Sequence, residues 1–214
     1  MSGRVSQAVR ISTGLLNTVL DDFPGGGSSS PGLAVGQLGD KITLSTADAL
    51  AHSDVTNTAT LYEGTYQYVQ AKSALTIAAI RGMLVFWSDR ANYIVDTVDA
   101  PRAELAGIVI SGTGAAGTSG APTASKYFWI QTIEGGRATV LGLAASTFAA
   151  GEICYSPGDA SCRLERAAAN TDVSLISSGA TRLDTIAAAI VGIADGVKDG
   201  NNRVIVRLIV KTAN

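Results

Sequence analysis

The 214-residue chain contains one histidine, His52, and two cysteines, Cys154 and Cys162. A metal centre needs several soft or imidazole ligands at short spacing, and neither cysteine has a second cysteine or a histidine in reach. A Ser-His-Asp relay would have to lie within Leu50-Ala51-His52-Ser53-Asp54, where neighbours on one short segment seldom reach aligned positions. There is no Gly-x-Ser-x-Gly elbow, so His52 reads as an exposed loop residue. Charge is equally sparse: 16 basic and 18 acidic side chains give a net −2 and only 16% charged residues. No concentrated basic face is expected, which argues against direct nucleic-acid binding. Long apolar runs are also missing. The longest, Ile186 to Ala194, is about half of the roughly 20 residues that a membrane helix needs. Met1-Ser2-Gly3-Arg4-Val5 is too polar to open a secretory signal, so the expectation is a product made in the cytoplasm, with no membrane partner.

What remains is 46% hydrophobic, with 24 glycines. That composition excludes a disordered polymer and is long enough to bury a core without a metal or disulfide staple. A packed, small-residue, β-rich structural protein is the class it favours.

Residues 1–35 differ from the rest. Val5, Ala8, Val9, Ile11, Leu15, Leu16, Val19 and Leu20 include pairs three or four apart, the spacing of a short amphipathic helix. Asp21-Asp22-Phe23-Pro24 and Gly25-Gly26-Gly27-Ser28-Ser29-Ser30-Pro31-Gly32 end it in a flexible linker. The segment reads as an arm on a body spanning 36–214. Its apolar stripe (Leu15, Leu16, Leu20, Phe23) is a candidate interface, either with a neighbouring subunit or folded back on its own body.

The body reads as mainly β. Tyr66 to Ala71 alternates with period two. Gly82 to Trp87 is a run of strand formers, Ser88 to Asn92 a turn, and Tyr93 to Asp96 a returning strand. Further strands are expected at Leu105–Ile110, Tyr127–Ile133, Ala138–Leu143, Glu152–Tyr155, Arg163–Glu165, Ala187–Ala194 and Arg203–Val210, with a short helical turn around Thr46 to Ala51. Asp195 to Asn202 reads as a hairpin turn. It lacks the ligand ladder and closing glutamate of a calcium loop. Gly112-Thr-Gly-Ala-Ala-Gly117 matches the dinucleotide fingerprint literally, but Thr118-Ser-Gly-Ala-Pro122 cannot open the helix that fingerprint requires. No cofactor is expected. A hairpin centred on Gly158 would set Cys154 opposite Cys162 within disulfide reach, whereas a reducing cytosol favours two thiols.

Three landmarks recur in order. Tyr66-Gln-Tyr-Val-Gln-Ala71 lines up with Tyr127-Phe-Trp-Ile-Gln-Thr132, Gly82 to Phe86 with Gly151 to Tyr155, and Ala106-Gly-Ile-Val109 with Val191-Gly-Ile-Ala194. This points to a duplicated strand unit, with repeats near 62–112 and 123–196 and a final strand at 203–211, packed as a small β-barrel or sandwich. In Tyr127-Phe128-Trp129 successive rings point to opposite faces, which makes Tyr127 and Trp129, with Trp87, candidate interface residues. Glu104, Glu134, Glu152 and Glu165 stand alone in sequence, and no catalytic or metal residues are expected.

The succession Tyr66–Ala71, Gly82–Trp87, Ala106–Val109 and Tyr127 to Gly136, extending to about Gly158, resembles the capsid decoration, or cement, proteins of tailed bacteriophages; residues 1–60 lie outside it. The resemblance implies a non-enzymatic protein on the virion surface. It would bind the major capsid protein lattice, usually as trimers at local threefold positions, and stiffen the head. Two alternatives are a head-fibre or tail-associated component and, from another class, a carbohydrate-binding β module using Trp87 or Trp129.

Overall fold

A computed structural model describes residues 38–52, 61–75, 79–97, 104–110, 125–156, 162–166 and 190–209, with the backbone alone at 51–52. The arm and its candidates Leu15, Leu16, Leu20 and Phe23 lie outside the described residues, as do the glycine-rich run at 112–122 and the turn around Gly158. Among the described residues, eleven strands and one helix follow in order. They are β1 (Lys41–Leu44), α1 (Thr46–His52), β2 (Gly64–Ala71), β3 (Leu84–Asp89), β4 (Ile94–Asp96), β5 (Leu105–Val109) and β6 (Tyr127–Thr132), then β7 (Arg137–Leu141), β8 (Ile153–Tyr155), β9 (Glu165–Arg166), β10 (Ile190–Ala194) and β11 (Arg203–Leu208). The fold is mainly β, and it contains a closed five-stranded barrel with additional strands.

The barrel runs β2-β4-β3-β5-β6 and closes where β6 returns to β2. The eight-residue β2 makes this possible because its two edges are used differently. One pairs with β6 over Tyr66–Gln70. The other pairs antiparallel with β1 over Gly64–Gln67 and parallel with β4 at Gln70–Ala71. A second sheet, β7-β11-β10-β8-β9, follows. An isolated parallel bridge between Gly142 and Leu164, just past β7 and just before β9, links its two ends.

The two sheets are the same structure twice. Matching β2 to β7, β3 to β8, β4 to β9, β5 to β10 and β6 to β11 reproduces the strand order and every shared register. Tyr68 faces Trp129 as Thr139 faces Ile205, and Ile108 faces Gln131 as Ile193 faces Arg207. The bulge between β3 and β5, where Val85 meets Gly107 and Phe86 meets Leu105, recurs between β8 and β10 as Cys154–Gly192 and Tyr155–Ile190. Even the parallel pair Ala71–Val95 has its counterpart in Gly142–Leu164. Tyr93 and Cys162, which precede these parallel contacts, share a left-handed backbone, with φ of 55° and 53°.

This repeat differs from the one read in the sequence. The pairings Gly82–Gly151 and Gly107–Gly192 hold, since both members of each pair occupy equivalent places. Tyr66–Ala71 and Tyr127–Thr132, however, are antiparallel neighbours in one barrel. The first unit therefore runs from β2 to β6 and the second from β7 to β11. Gly107 and Gly192 mark equivalent close approaches of backbone in the two units. A Cβ there would lie 2.4 Å from the Gln131 carbonyl oxygen and 2.2 Å from that of Arg207, so only glycine fits the undistorted backbone.

One continuous core joins the two units. Val69, Leu84, Phe86, Ile108, Phe128 and Ile130 of the first belong to the same buried cluster as Val140, Leu164, Val191, Val204 and Val206 of the second. Backbone hydrogen bonds stitch the junction: Leu141 N–H donates to Gly82 O at 2.8 Å, and Leu84 N–H donates to Cys162 O at 3.0 Å. The segment leading into β3 is thus inserted against β7 and the residues before β9.

A second, smaller core lies on the outer face of the first barrel. Tyr66, Tyr68, Ile110 and Trp129 pack there beneath Leu44 of β1, Ala49 of α1 and Leu61. Ser45 starts α1 as its N-cap, accepting a hydrogen bond from Asp48 N–H at 3.3 Å while its hydroxyl donates to the Asp48 carboxylate at 2.7 Å; such caps are worth about 1 kcal/mol. The helix extends to His52, so that histidine closes a helix instead of sitting in a loop.

Candidate functional site

The aromatic residues are gathered as the sequence suggested, but facing inward. Trp129 is only 3% exposed. Its ring centroid is 5.2 Å from that of Tyr68, which stacks in turn on Tyr127 at 6.2 Å. Phe128 points the other way, into the main core. Both faces of Tyr127-Phe128-Trp129 are therefore covered within the chain, because β1 and α1 supply a lid that the strand sequence does not reveal. Trp129, expected at an interface, is a core residue. Tyr127 is half-buried against the same cluster, and Trp87 is half-buried against the main core. The structure brings Tyr127 and Trp129 together and leaves Trp87 apart from them.

Burial sets the chemistry of the hydroxyls and thiols. Tyr66 and Tyr68 are held neutral far above the ordinary tyrosine range by loss of solvent, and the Tyr66 hydroxyl donates to the Tyr62 carbonyl at 2.5 Å. The Cys154 thiol is pushed up to about 12, chiefly by burial. No disulfide joins Cys154 to Cys162. The β8–β9 register sets Cys154 opposite Arg166, not opposite Cys162 as a symmetric hairpin would. A thiol so protonated is a packing group and a poor nucleophile.

The acids that look isolated in sequence are each partnered in space. Glu104 pairs with Arg90, Glu134 with Lys41 at 2.5 Å and Glu152 with Arg166 at 2.9 Å, while Glu165 accepts a hydrogen bond from the Tyr155 hydroxyl at 3.1 Å. Asp96, fully buried, meets the half-exposed Lys72 at 3.0 Å and accepts the Thr97 N–H at 2.7 Å. Between the units, Arg137 Nε donates to Glu63 at 3.1 Å, which holds that carboxyl below its usual range, and the guanidinium sits 5.2 Å over the Tyr62 ring. Gln131 completes this joint by donating to the Arg137 carbonyl at 2.6 Å. These groups tie strands together in pairs. Among the described residues, no group of three or more His, Cys, Asp or Glu side chains could hold a metal, and no helix is long and apolar enough to cross a membrane.

Among the described residues, an apolar face is also left exposed. On the outer face of β8, β10 and β11, Ile153 is 45% exposed, Ile205 and Ile209 are each 37% exposed, and Ile193 is half-buried. The registers place Ile153 opposite Ile193, and Ile193 opposite Arg207, which Ile205 of β11 and Ile209, one residue past its end, flank along the chain. Sequence reasoning missed this patch. Its signal was present in Arg203 to Ile209, where every second residue turns outward and two of the three outward positions are isoleucine.

Comparison with protein families, curated proteins and solved structures finds no match for this chain.

Proposed function

We propose that the protein is a non-enzymatic virion component that decorates the outside of a tailed-phage capsid, binds the major capsid protein lattice as an oligomer, with a trimer expected, and stabilises it. The observation that carries this reading is how the side chains are used. In the described residues the aromatic rings and buried hydroxyls pack the first unit, a continuous apolar core and the Arg137–Glu63 pair fasten the two equivalent β units into one body, and an apolar sheet face is left turned outward. A doubled barrel with one continuous core suits a protein that transmits load, because close-packed interiors are stiff. Repeated over a lattice, modest contacts sum to a large stabilisation.

The test is the composition of purified particles assembled from the genome that encodes the chain. Quantitative mass spectrometry is expected to find it in numbers comparable to the major capsid protein, with loss of heat resistance when it is deleted. A few copies per particle would move the assignment to a head fibre or tail component, and absence from the particle would refute it. The burial of Trp129 removes one of the two stacking rings of the carbohydrate-module alternative and leaves it the half-buried Trp87.

A further inference from the structure

The two units should bury equivalent faces if they had equivalent surroundings, and they do not. Leu84 and Ile108, facing each other on β3 and β5, are fully buried in the core shared by the two units. Their counterparts on β8 and β10, Ile153 and Ile193, face each other in the same register, yet Ile153 is 45% exposed and Ile193 half-buried. The same holds one strand further. Trp129 is covered by β1 and α1, whereas Ile205 at the equivalent place on β11 is 37% exposed. A face that the chain covers once, within itself, is thus displayed a second time with apolar residues and, among the described residues, nothing over it.

We propose that this face of β8, β10 and β11, centred on Ile153, Ile193, Ile205 and Ile209, is a self-association surface occupied by the same face of another copy of this chain. A head-to-tail repeat of the internal junction is blocked. That junction works because Leu141 N–H and Cys162 O are open to receive Gly82 and Leu84. In the first unit the equivalent groups, Gln70 N–H and Tyr93 O, bond directly to each other at 3.0 Å and leave no slot for Gly151 to Ile153 of a neighbour. Like face against like face is the arrangement that remains, a two-fold contact that pairs copies and is distinct from the contacts that would build a trimer. The Arg207–Asp195 pair at 2.5 Å places charge of both signs beside the isoleucines and favours a matched partner over a strongly charged one. The inference does not depend on the capsid reading and uses the isolated chain.

The experiment is sedimentation velocity on the full-length chain across micromolar concentrations, with Ile153→Lys and Ile205→Lys as tests and Val197→Lys as control. Val197 is exposed on the turn joining β10 to β11, off this face. The wild type and Val197→Lys are expected to associate, and the sedimenting mass gives the number of copies. Each isoleucine variant is expected to raise the dissociation constant at least about tenfold, the effect of losing one well-buried apolar contact, with thermal unfolding of the monomer unchanged. A wild type that stays monomeric, or folded isoleucine variants that associate like the wild type, would overturn the proposal. Association without binding to phage heads would leave this inference standing and remove only the capsid reading.

Discussion

Replacing Gly192 by alanine is the sharpest perturbation available. The new Cβ would sit 2.2 Å from the Arg207 carbonyl oxygen and 2.5 Å from a methyl of Val206, more than 1 Å inside normal contact. The oxygen is backbone, so relief requires β10 and β11 to separate at the end of their ladder where Gly192 faces Leu208. Overpacking of this kind costs about 1–3 kcal/mol, and a rigid backbone obstacle belongs at the upper end. For a chain of this size each kcal/mol lowers the melting temperature by about 2–4 °C, so a drop of about 6–12 °C is expected. Gly107→Ala, with its Cβ 2.4 Å from the Gln131 oxygen, should behave alike because it occupies the same place in the other unit. Gly196→Ala meets nothing within 4 Å and should be neutral or stabilise by about 0.4–1 kcal/mol. Thermal unfolding followed by circular dichroism, with a urea titration for each variant, measures all three. If Gly192→Ala unfolds with Gly196→Ala, the close approach of β10 to β11 is wrong, and with it the matched registers.

Other consequences concern single groups. Trp129→Ala should cost about 3–5 kcal/mol, the range for a buried large aromatic, seen as a lower urea midpoint; an exposed binding residue would instead leave stability unchanged. Asp96→Ala removes charged hydrogen bonds to Lys72 and Thr97 and should destabilise by about 2 kcal/mol, whereas Arg90→Ala, at an exposed pair, should cost less than about 1 kcal/mol. Because burial lifts Cys154 to about 12, the native chain should resist a thiol reagent at pH 8 that labels the urea-unfolded chain promptly. The same shift carries a sign: the unfolded thiol ionises above about 8.5 while the folded one keeps its proton. Its contribution is present below that pH and is lost as the pH climbs towards about 12. A Cys154→Ala variant should lose stability less steeply from pH 8.5 to 10, as read by urea unfolding.

Most strands were legible because period-two alternation and β-branched runs report local burial directly, as in Tyr66–Ala71 and Arg203–Leu208. β1 was not, since Lys41–Leu44 is a short edge strand with only Leu44 buried. The glycine landmarks located the repeat because Gly107 and Gly192 answer the same backbone demand. The aromatic landmark misled for a physical reason. β2 and β6 share one face, with Tyr68 opposite Trp129, so they look alike because they are neighbours and not because they are equivalents. The lid over Trp129 comes from residues more than 70 positions earlier, and no local pattern announces it. The isoleucine face was hidden in the opposite way: an apolar residue on a strand is read as core until the neighbouring unit is seen to stop short of it.

The claim that this body serves assembly is tested most directly by cryo-electron microscopy of empty, expanded tailed-phage heads incubated with the purified chain. The account predicts added density on the outer surface, repeated across the lattice, with copies of the chain meeting through the β8–β10–β11 face. Heads that remain bare at saturating protein would contradict the capsid role, and density in which that face is turned to solvent would contradict the surface assigned to it.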